Sequence, residues 1–392
     1  MIQKIKDLSE KYFEEVRSIR RHLHANPELS FQEFETAKFI SGKLSEWGIE
    51  HKTGVADTGI VGEIFGNENG KMIALRADID ALPILEKNQE SYCSKNEGIM
   101  HACGHDVHSS SLLGAVKILH ETKDTWSGSV RFLFQPGEER LPGGASLLIK
   151  EGVLENPKPD GIIGQHVFTD LPAGKVGFRS GLYMASADEI YVTVKGQGGH
   201  AAIPQSNIDP VLISAHIIVA LQQIVSRIAN PTIPSVLSFG KVLAMGSTNV
   251  IPNEVKIEGT FRTMDEEWRY EAHKRMKKMA ESIAEGMGGT CEFDIKVGYP
   301  FLMNDPELTE KCKRAAKDYL GEENVVELPL RMSAEDFAFY SQIIPATFYR
   351  LGTTEQGGGK SSPVHTDTFD IDEDALKTGM GLMAYNAICQ LQ

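Results

Sequence analysis

Three of the chain's twelve histidines fall in one short stretch, His101-Ala-Cys-Gly-His105-Asp-Val-His108. A thiol two residues from an imidazole, with two more imidazoles beside it, is a donor set suited to a divalent metal. A second cluster, Glu138-Glu139, follows Pro136-Gly137. In extended backbone two successive carboxylates point in different directions, so one can bind metal while the other takes a proton from water. His166 follows the apolar run Gly161–Gln165, and His365 stands far downstream in Ser362-Pro-Val-His365-Thr-Asp-Thr-Phe. Singly, a lone histidine or a Glu-Glu pair more often serves a core or a solvated face. Together, Cys103, His105, Glu139, His166 and His365 make five protein ligands, more than one catalytic zinc with an open position accepts. If one of them bridges two ions, each ion has three protein bonds and room for a shared water. That is the arrangement of a two-metal hydrolase.

These groups must be carried to one place by regular elements. Helical periodicity runs over about residues 5–25 and ends at Asn26-Pro27, and a second helix is expected over about 31–47 with Gly48 at its C-terminal cap. Strand-like runs follow at Ile60–Phe65, at Met72–Ala77 before Asp78-Ile-Asp80, and at Ser129–Gln135 before the Glu138-Glu139 turn. Between them Ser109–His120 is helical, another helix starts near Gly144, and Gly161–Gln165 is a short apolar strand. Such alternation predicts an α/β sheet covered on both faces, with ligands gathered at the strand ends.

The middle of the chain has a different pattern. Glu189–Val194, about 210–228, Val236–Lys241, Glu254–Thr260, about 267–285 and Cys291–Val297 read as β-α-β-β-α-β, the ferredoxin-like order. The domains are accordingly assigned as 1–183 with 297–392, and an inserted 184–296. Helix 210–228 is apolar around most of its circumference, which suits either a subunit interface or a helix sandwiched within its own chain. Gly357-Gly-Gly-Lys-Ser-Ser reads as a mobile loop tip.

At 392 residues the chain exceeds what one core usually serves. With 41% hydrophobic and 24% charged residues it is an ordinary globular sequence. Its net charge of −14 disfavours nucleic acid and anionic membrane as partners. No secretory leader and no uncharged apolar run of bilayer-spanning length is read from the sequence. Five scattered cysteines (Cys93, Cys103, Cys291, Cys312, Cys389) point to reduced thiols and a cytoplasmic location.

Several motifs then appear in order: Arg21-His-Leu-His-Ala-Asn-Pro-Glu-Leu-Ser-Phe31, Arg76-Ala-Asp-Ile-Asp-Ala-Leu-Pro83, Met100–His108, Phe134-Gln-Pro-Gly-Glu-Glu139, Gly199-His-Ala-Ala-Ile-Pro204, Asn249-Val-Ile-Pro-Asn-Glu254 and Ser333-Ala-Glu-Asp-Phe337. With these, nearly the whole chain resembles the metal-dependent amidohydrolases of peptidase family M20, subfamily D. The resemblance implies a two-metal aminopeptidase-like α/β catalytic domain interrupted by a ferredoxin-like α+β lid and dimerisation domain. It implies two divalent ions per subunit, zinc or manganese first and nickel or cobalt as alternatives, with the Cys103 thiolate as bridge. Glu138 becomes the general base, Asp80 a carboxylate that orients a ligand, and His200 an oxyanion donor reaching a partner subunit's site. Asn249 and Arg262 become substrate-binding residues, and His101 and His108 supporting or structural ones. Asp367, two residues from His365, departs from the family pattern and could alter local acidity or metal preference. The expected reaction is cleavage of the amide bond of an N-acyl amino acid, a small molecule, by a homodimer. The rivals are a dipeptidase on the same site, a non-catalytic binding protein on the same fold, and a redox protein built on Cys103.

Overall fold

The computed structural model describes residues 1–355 and 362–392; the expected loop tip at 357–362 lies almost wholly outside them. The chain divides into two compact units, one comprising Met1–Tyr183, Met303–Pro329 and Asp336–Gln392, the other Met184–Leu302 and Leu330–Glu335. The short return Leu330–Glu335 falls in a stretch that the sequence reading gave entirely to the first unit.

The first unit is built on an eight-stranded sheet. Its order is His51–Val55, Gly59–Phe65, Ser129–Gln135, Met72–Asp78, Gly161–Pro172, Ala346–Thr354, Val176–Phe178, Val325–Glu327. Four central strands, Ser129–Gln135, Met72–Asp78, Gly161–Pro172 and Ala346–Thr354, are parallel. Met72–Asp78 and Ser129–Gln135 are buried at every residue, as strands covered on both faces must be. Helices Ile2–Ala25, His105–Thr122 and Ala375–Leu391 pack on one another. The last two have small hydrophobic asymmetry because nearly all their residues are buried.

Several expected boundaries move for identifiable reasons. The second helix spans Phe34–Glu46 instead of starting at Phe31, because Phe31 has a left-handed backbone (φ +65°) that cannot enter a helix. The third starts at His105, not Ser109, since the left-handed Gly104 (φ +80°) turns the chain straight into it. The strand at Gly161 continues to Pro172, so His166 lies inside it and not beyond its end. The expected consequence survives, because the neighbouring Met72–Asp78 strand pairs only as far as Gly164, leaving His166 past that neighbour's end. Strands His51–Val55 and Ala346–Thr354 were not anticipated.

In the second unit four antiparallel strands lie in the order Ser235–Ala244, Glu254–Thr263, Asp188–Lys195, Thr290–Val297. With helices Pro210–Gln223 and Glu266–Gly286 this is the β-α-β-β-α-β order. Asp209 and Asp265 cap those helices, accepting from Val211 and Leu212 and from Trp268. The first helix continues through a π turn to Ile228, and Ile213, Ile217, Leu221 and Ile224 enter this unit's core. By length and composition alone Pro210–Ile228 is apolar enough to cross a membrane, with a mean hydropathy of 1.7. The run carries Arg227, so it is not uncharged. Its apolar residues are needed on the sheet side, and Val211, Leu212 and Val219 extend the same character to the outer side.

Candidate metal centre

Cys103, Gly104 and His105 form the junction between a loop and the His105–Thr122 helix. Gly104 is required there twice over. Its φ is left-handed, and a Cβ on it would stand 2.7 Å from a methyl of Val167. That close approach sets the Cys103–His105 corner against His166. His105 Nδ1 is 3.1 Å from Asp80 Oδ1. Donation to the carboxylate leaves Nε2 with its lone pair, and Nε2 is buried with no hydrogen-bond partner. His166 Nδ1 donates to the Val167 carbonyl (2.8 Å), so its Nε2 faces Cys103 Sγ at 3.4 Å. His365 Nε2 is 3.3 Å from the same sulfur and 3.1 Å from Glu139 Oε1. The latter approach lacks hydrogen-bond geometry, and Glu139 Oε1 stays buried without a donor.

The structure thus brings all five expected ligands together, as two triads that share the sulfur: Cys103, His105 and His166, and Cys103, Glu139 and His365. Glu138 is buried beside them, with Oε2 4.0 Å from His105 Nε2. The residues fit a metal pair on three counts: converging lone pairs, two orphaned buried acceptors, and uncompensated charge. Burial, then Glu139, Glu138 and Asp78, push the Cys103 thiol well above its ordinary pKa. Burial would lower His105, yet Asp78, Asp80 and Glu139 hold it up at about 10. Burial and then Arg350 depress His166. A divalent cation reverses this balance, since it stabilises the thiolate and takes the imidazole lone pairs.

Residues behind the donors fix their orientation. Asp80 Oδ2 accepts from Ser30 Oγ (2.6 Å) and the Glu139 amide (3.0 Å). Against the raising effect of burial, those bonds and His105 keep Asp80 below the usual carboxylate range. His108 is a support, not a ligand. Its Nδ1 lies 2.6 Å from Asp78 Oδ1 and its Nε2 accepts the Val167 amide at 2.9 Å, so both nitrogens are used. His101 is buried, and its burial lowers its pKa to about 4 despite Asp106.

Asp78 was missed by sequence reasoning, although Arg76-Ala-Asp-Ile-Asp at a strand end was the available signal. Arg76 binds Gln135 Oε1 (2.8 Å), Asp78 Oδ2 (2.7 Å) and Asp336 Oδ1 (2.7 Å), tying three segments beneath the site. Arg20 does the same on the other side, donating to Asp106 and Asp370 (2.8 Å each). Asp367 pairs with Lys87 at 2.5 Å on the surface, and its carbonyl accepts the Lys87 amide. Its carboxylate is therefore engaged by a lysine.

His200, Asn249 and Arg262 belong to the second unit. His200 and Asn249 are neighbours: His200 pairs with Val250, and the Ala201 amide donates to the Asn249 carbonyl at 3.0 Å. His200 Nδ1 accepts the Ala202 amide (3.1 Å), which places the proton of the neutral ring on Nε2. Arg262 is half-buried on Glu254–Thr263, donates to the Met332 carbonyl at 3.2 Å, and has its pKa lowered by that burial.

Comparison with known proteins gives a consistent picture. The model of peptidase family M20/M25/M40 matches residues 74–387. N-acetyl-L-cysteine deacetylase of Bacillus subtilis is 42% identical over 358 residues, 91% of this chain and 84% of that protein. Thermostable carboxypeptidase 2 of Saccharolobus solfataricus is 37% identical over 97% of this chain and 96% of its own. Among solved structures, the Bacillus subtilis YXEP protein, described as a dinuclear metal binding peptidase from the M20 family, aligns with a TM-score of 0.82. It is 37% identical over 97% of this chain and 99% of that one.

Proposed function

The chain belongs to peptidase family M20/M25/M40, and on that premise we propose that it hydrolyses the amide bond of N-acyl amino acids, releasing a carboxylate and a free amino acid. The observation that carries the reading is the pair of donor triads sharing Cys103, with a further carboxylate, Glu138, beside them. Cys103, His105, Glu139, His166 and His365 would hold two divalent ions, which would acidify a water and polarise the scissile carbonyl; zinc or manganese suits the mixed thiolate, imidazole and carboxylate set. Glu138 takes the proton from the attacking water as oxygen bonds to the acyl carbon. It then delivers that proton to the nitrogen as the C–N bond breaks. His200 is assigned to the developing oxyanion in a partner subunit's site through its Nε2 proton. Asn249 and Arg262 are assigned to the substrate, the guanidinium gripping the free carboxylate.

The exposed apolar residues Val211, Leu212 and Val219, with Val242, Leu243 and Met245 of the same unit, support pairing of two copies through this surface. Free thiols at all five cysteines suit a reducing compartment, the cytoplasm. The test is a panel of N-acetyl and N-benzoyl amino acids beside unblocked dipeptides, run after loading with manganese, zinc, cobalt or nickel. Faster turnover of the blocked substrates is expected, with Glu138→Gln losing at least about 100-fold while retaining its metal. Preference for free dipeptides would move the assignment to a peptidase. Full turnover by the Gln variant would remove Glu138 as the base.

A further inference from the structure

The motif Arg21–Phe31 contributes no metal ligand to the site, yet Glu33, two residues beyond its end, is completely buried. Its Oε1 accepts two main-chain amides, those of Phe31 and Gly137, each at 2.9 Å. Oε2 accepts the Thr58 hydroxyl at 2.7 Å. Gly137 immediately precedes Glu138. On the other side of Glu138, the Glu139 amide is held by Asp80 at 3.0 Å. The backbone N–H groups of the two residues that flank Glu138, Gly137 and Glu139, are therefore each held by a different buried carboxylate.

The packing around Gly137 enforces the same register. Its φ is +58°, and a Cβ on it would fall 2.3 Å from the Phe31 ring, so the turn lies directly on that ring. Phe31 is itself in a left-handed conformation (φ +65°), uncommon for an aromatic residue. The Glu33 carboxylate bonds to both partners of this contact, the Phe31 amide and the Gly137 amide. Retaining a carboxylate here is costly: burial, then the charge of Asp80, raise the Glu33 pKa. A buried acid with saturated hydrogen bonds, placed where a catalytic turn needs a fixed amide, has a positional role.

We propose that Glu33 is a positioning residue that aims the Glu138 carboxylate by holding the Gly137 amide, with Asp80 holding the Glu139 amide as its counterpart. The inference rests on Glu138 as the base, as assigned above. Its requirement is an acceptor of the right reach, not a charge. In Glu33→Gln the amide oxygen can still accept from Phe31 and Gly137, while the new NH2 faces the Thr58 hydroxyl, which can rotate to accept. Glu33→Asp keeps the charge but shortens the reach by one methylene.

The test uses the full-length, metal-loaded protein and the fastest N-acyl amino acid of the panel above. Glu33→Gln is expected within about threefold of the parent. Glu33→Ala and Glu33→Asp are expected to lose on the order of 100-fold in kcat, as for misplacement of a catalytic group by about 1 Å, with KM and metal content little changed. Hydrogen exchange read by mass spectrometry should show residues 136–139 losing protection in Glu33→Ala and Glu33→Asp but not in Glu33→Gln. Should Glu33→Ala not fold, the Asp and Gln pair carries the test. Wild-type kcat in Glu33→Asp, or a Glu33→Gln as impaired as Glu33→Asp, overturns the proposal. If the parent hydrolyses no member of the panel, the proposed function fails, and the exchange pattern still decides the role of Glu33.

Discussion

Replacing Asp80 with Asn exchanges one carboxylate oxygen for an NH2 group and leaves the side chain's volume nearly unchanged. Asp80 receives three hydrogen bonds: His105 Nδ1 at 3.1 Å on Oδ1, and Ser30 Oγ at 2.6 Å with the Glu139 amide at 3.0 Å on Oδ2. If the new NH2 takes the Oδ1 side, it faces the Nδ1–H of His105. That ring must then move its proton to Nε2, the nitrogen that faces the other donors. If NH2 takes the Oδ2 side, the Ser30 hydroxyl can reverse, but the Glu139 amide cannot. In the first orientation His105 can keep its Nε2 lone pair for a metal only with the Nδ1 hydrogen bond unmade, and in the second the Glu139 bond is lost, a cost of about 1–3 kcal/mol either way. If that cost falls on the metal-bound state, affinity drops about 10- to 100-fold, the range for groups that orient a metal ligand. Calorimetric titration of metal-free wild-type and Asp80→Asn protein with manganese measures this directly, with circular dichroism to confirm an unchanged fold. Affinities within twofold at both sites would refute the claim that Asp80 orients His105 and Glu139.

Three further outcomes follow from other parts of the molecule. Gly104→Ala places a side chain in a left-handed backbone, costing about 1–2 kcal/mol before the 2.7 Å approach to Val167 is added; a lower melting temperature together with weakened metal binding is expected. Glu86 is held at about 2 from an ordinary 4.5, because His24, the Ser94 amide and Asn88 outweigh the raising effect of burial. A depressed carboxylate stabilises the fold above its unfolded pKa and loses that contribution as pH falls through its folded value. The urea midpoint should therefore fall from pH 5 towards pH 2, and less steeply in Glu86→Gln. Val219 is 73% exposed in the single chain, so Val219→Asp should halve the mass seen by light scattering, from two chains to one, with little change in the stability of the monomer; a wild-type protein of one-chain mass would exclude pairing through this face.

The donor set was legible in the sequence because its chemistry is local. Cys103 and His105 stand in one tripeptide, Glu138 and Glu139 are adjacent, and the strand before the two glutamates is an apolar run that ends at the site. Asp80 entered through the family resemblance, since its place just past a buried strand does not distinguish it from Asp78. The supports were harder to see. Nothing near Glu33 signals that it accepts the amide of Gly137, since the contact depends on two distant segments meeting over one ring. Ala346–Thr354 was overlooked because Thr347 and Arg350 interrupt its apolar pattern, although both are buried. The extent of the Gly161–Pro172 strand was hidden because its far half pairs only with that overlooked strand.

Gly161–Pro172 and Val176–Phe178 are joined by a few residues, yet Ala346–Thr354 lies between them in the sheet. During synthesis the ribosome releases the first pair, and four of the five donors, long before the segment that must slide into that gap. The nascent chain has to keep a slot unfilled while all of Met184–Leu302 emerges, and such late, long-range closure is slow. The last donor, His365, lies eleven residues beyond the inserting strand. The centre is therefore finished only after residues 346–365 have emerged, and a truncated product ending before residue 346 would carry an open sheet and an incomplete donor set.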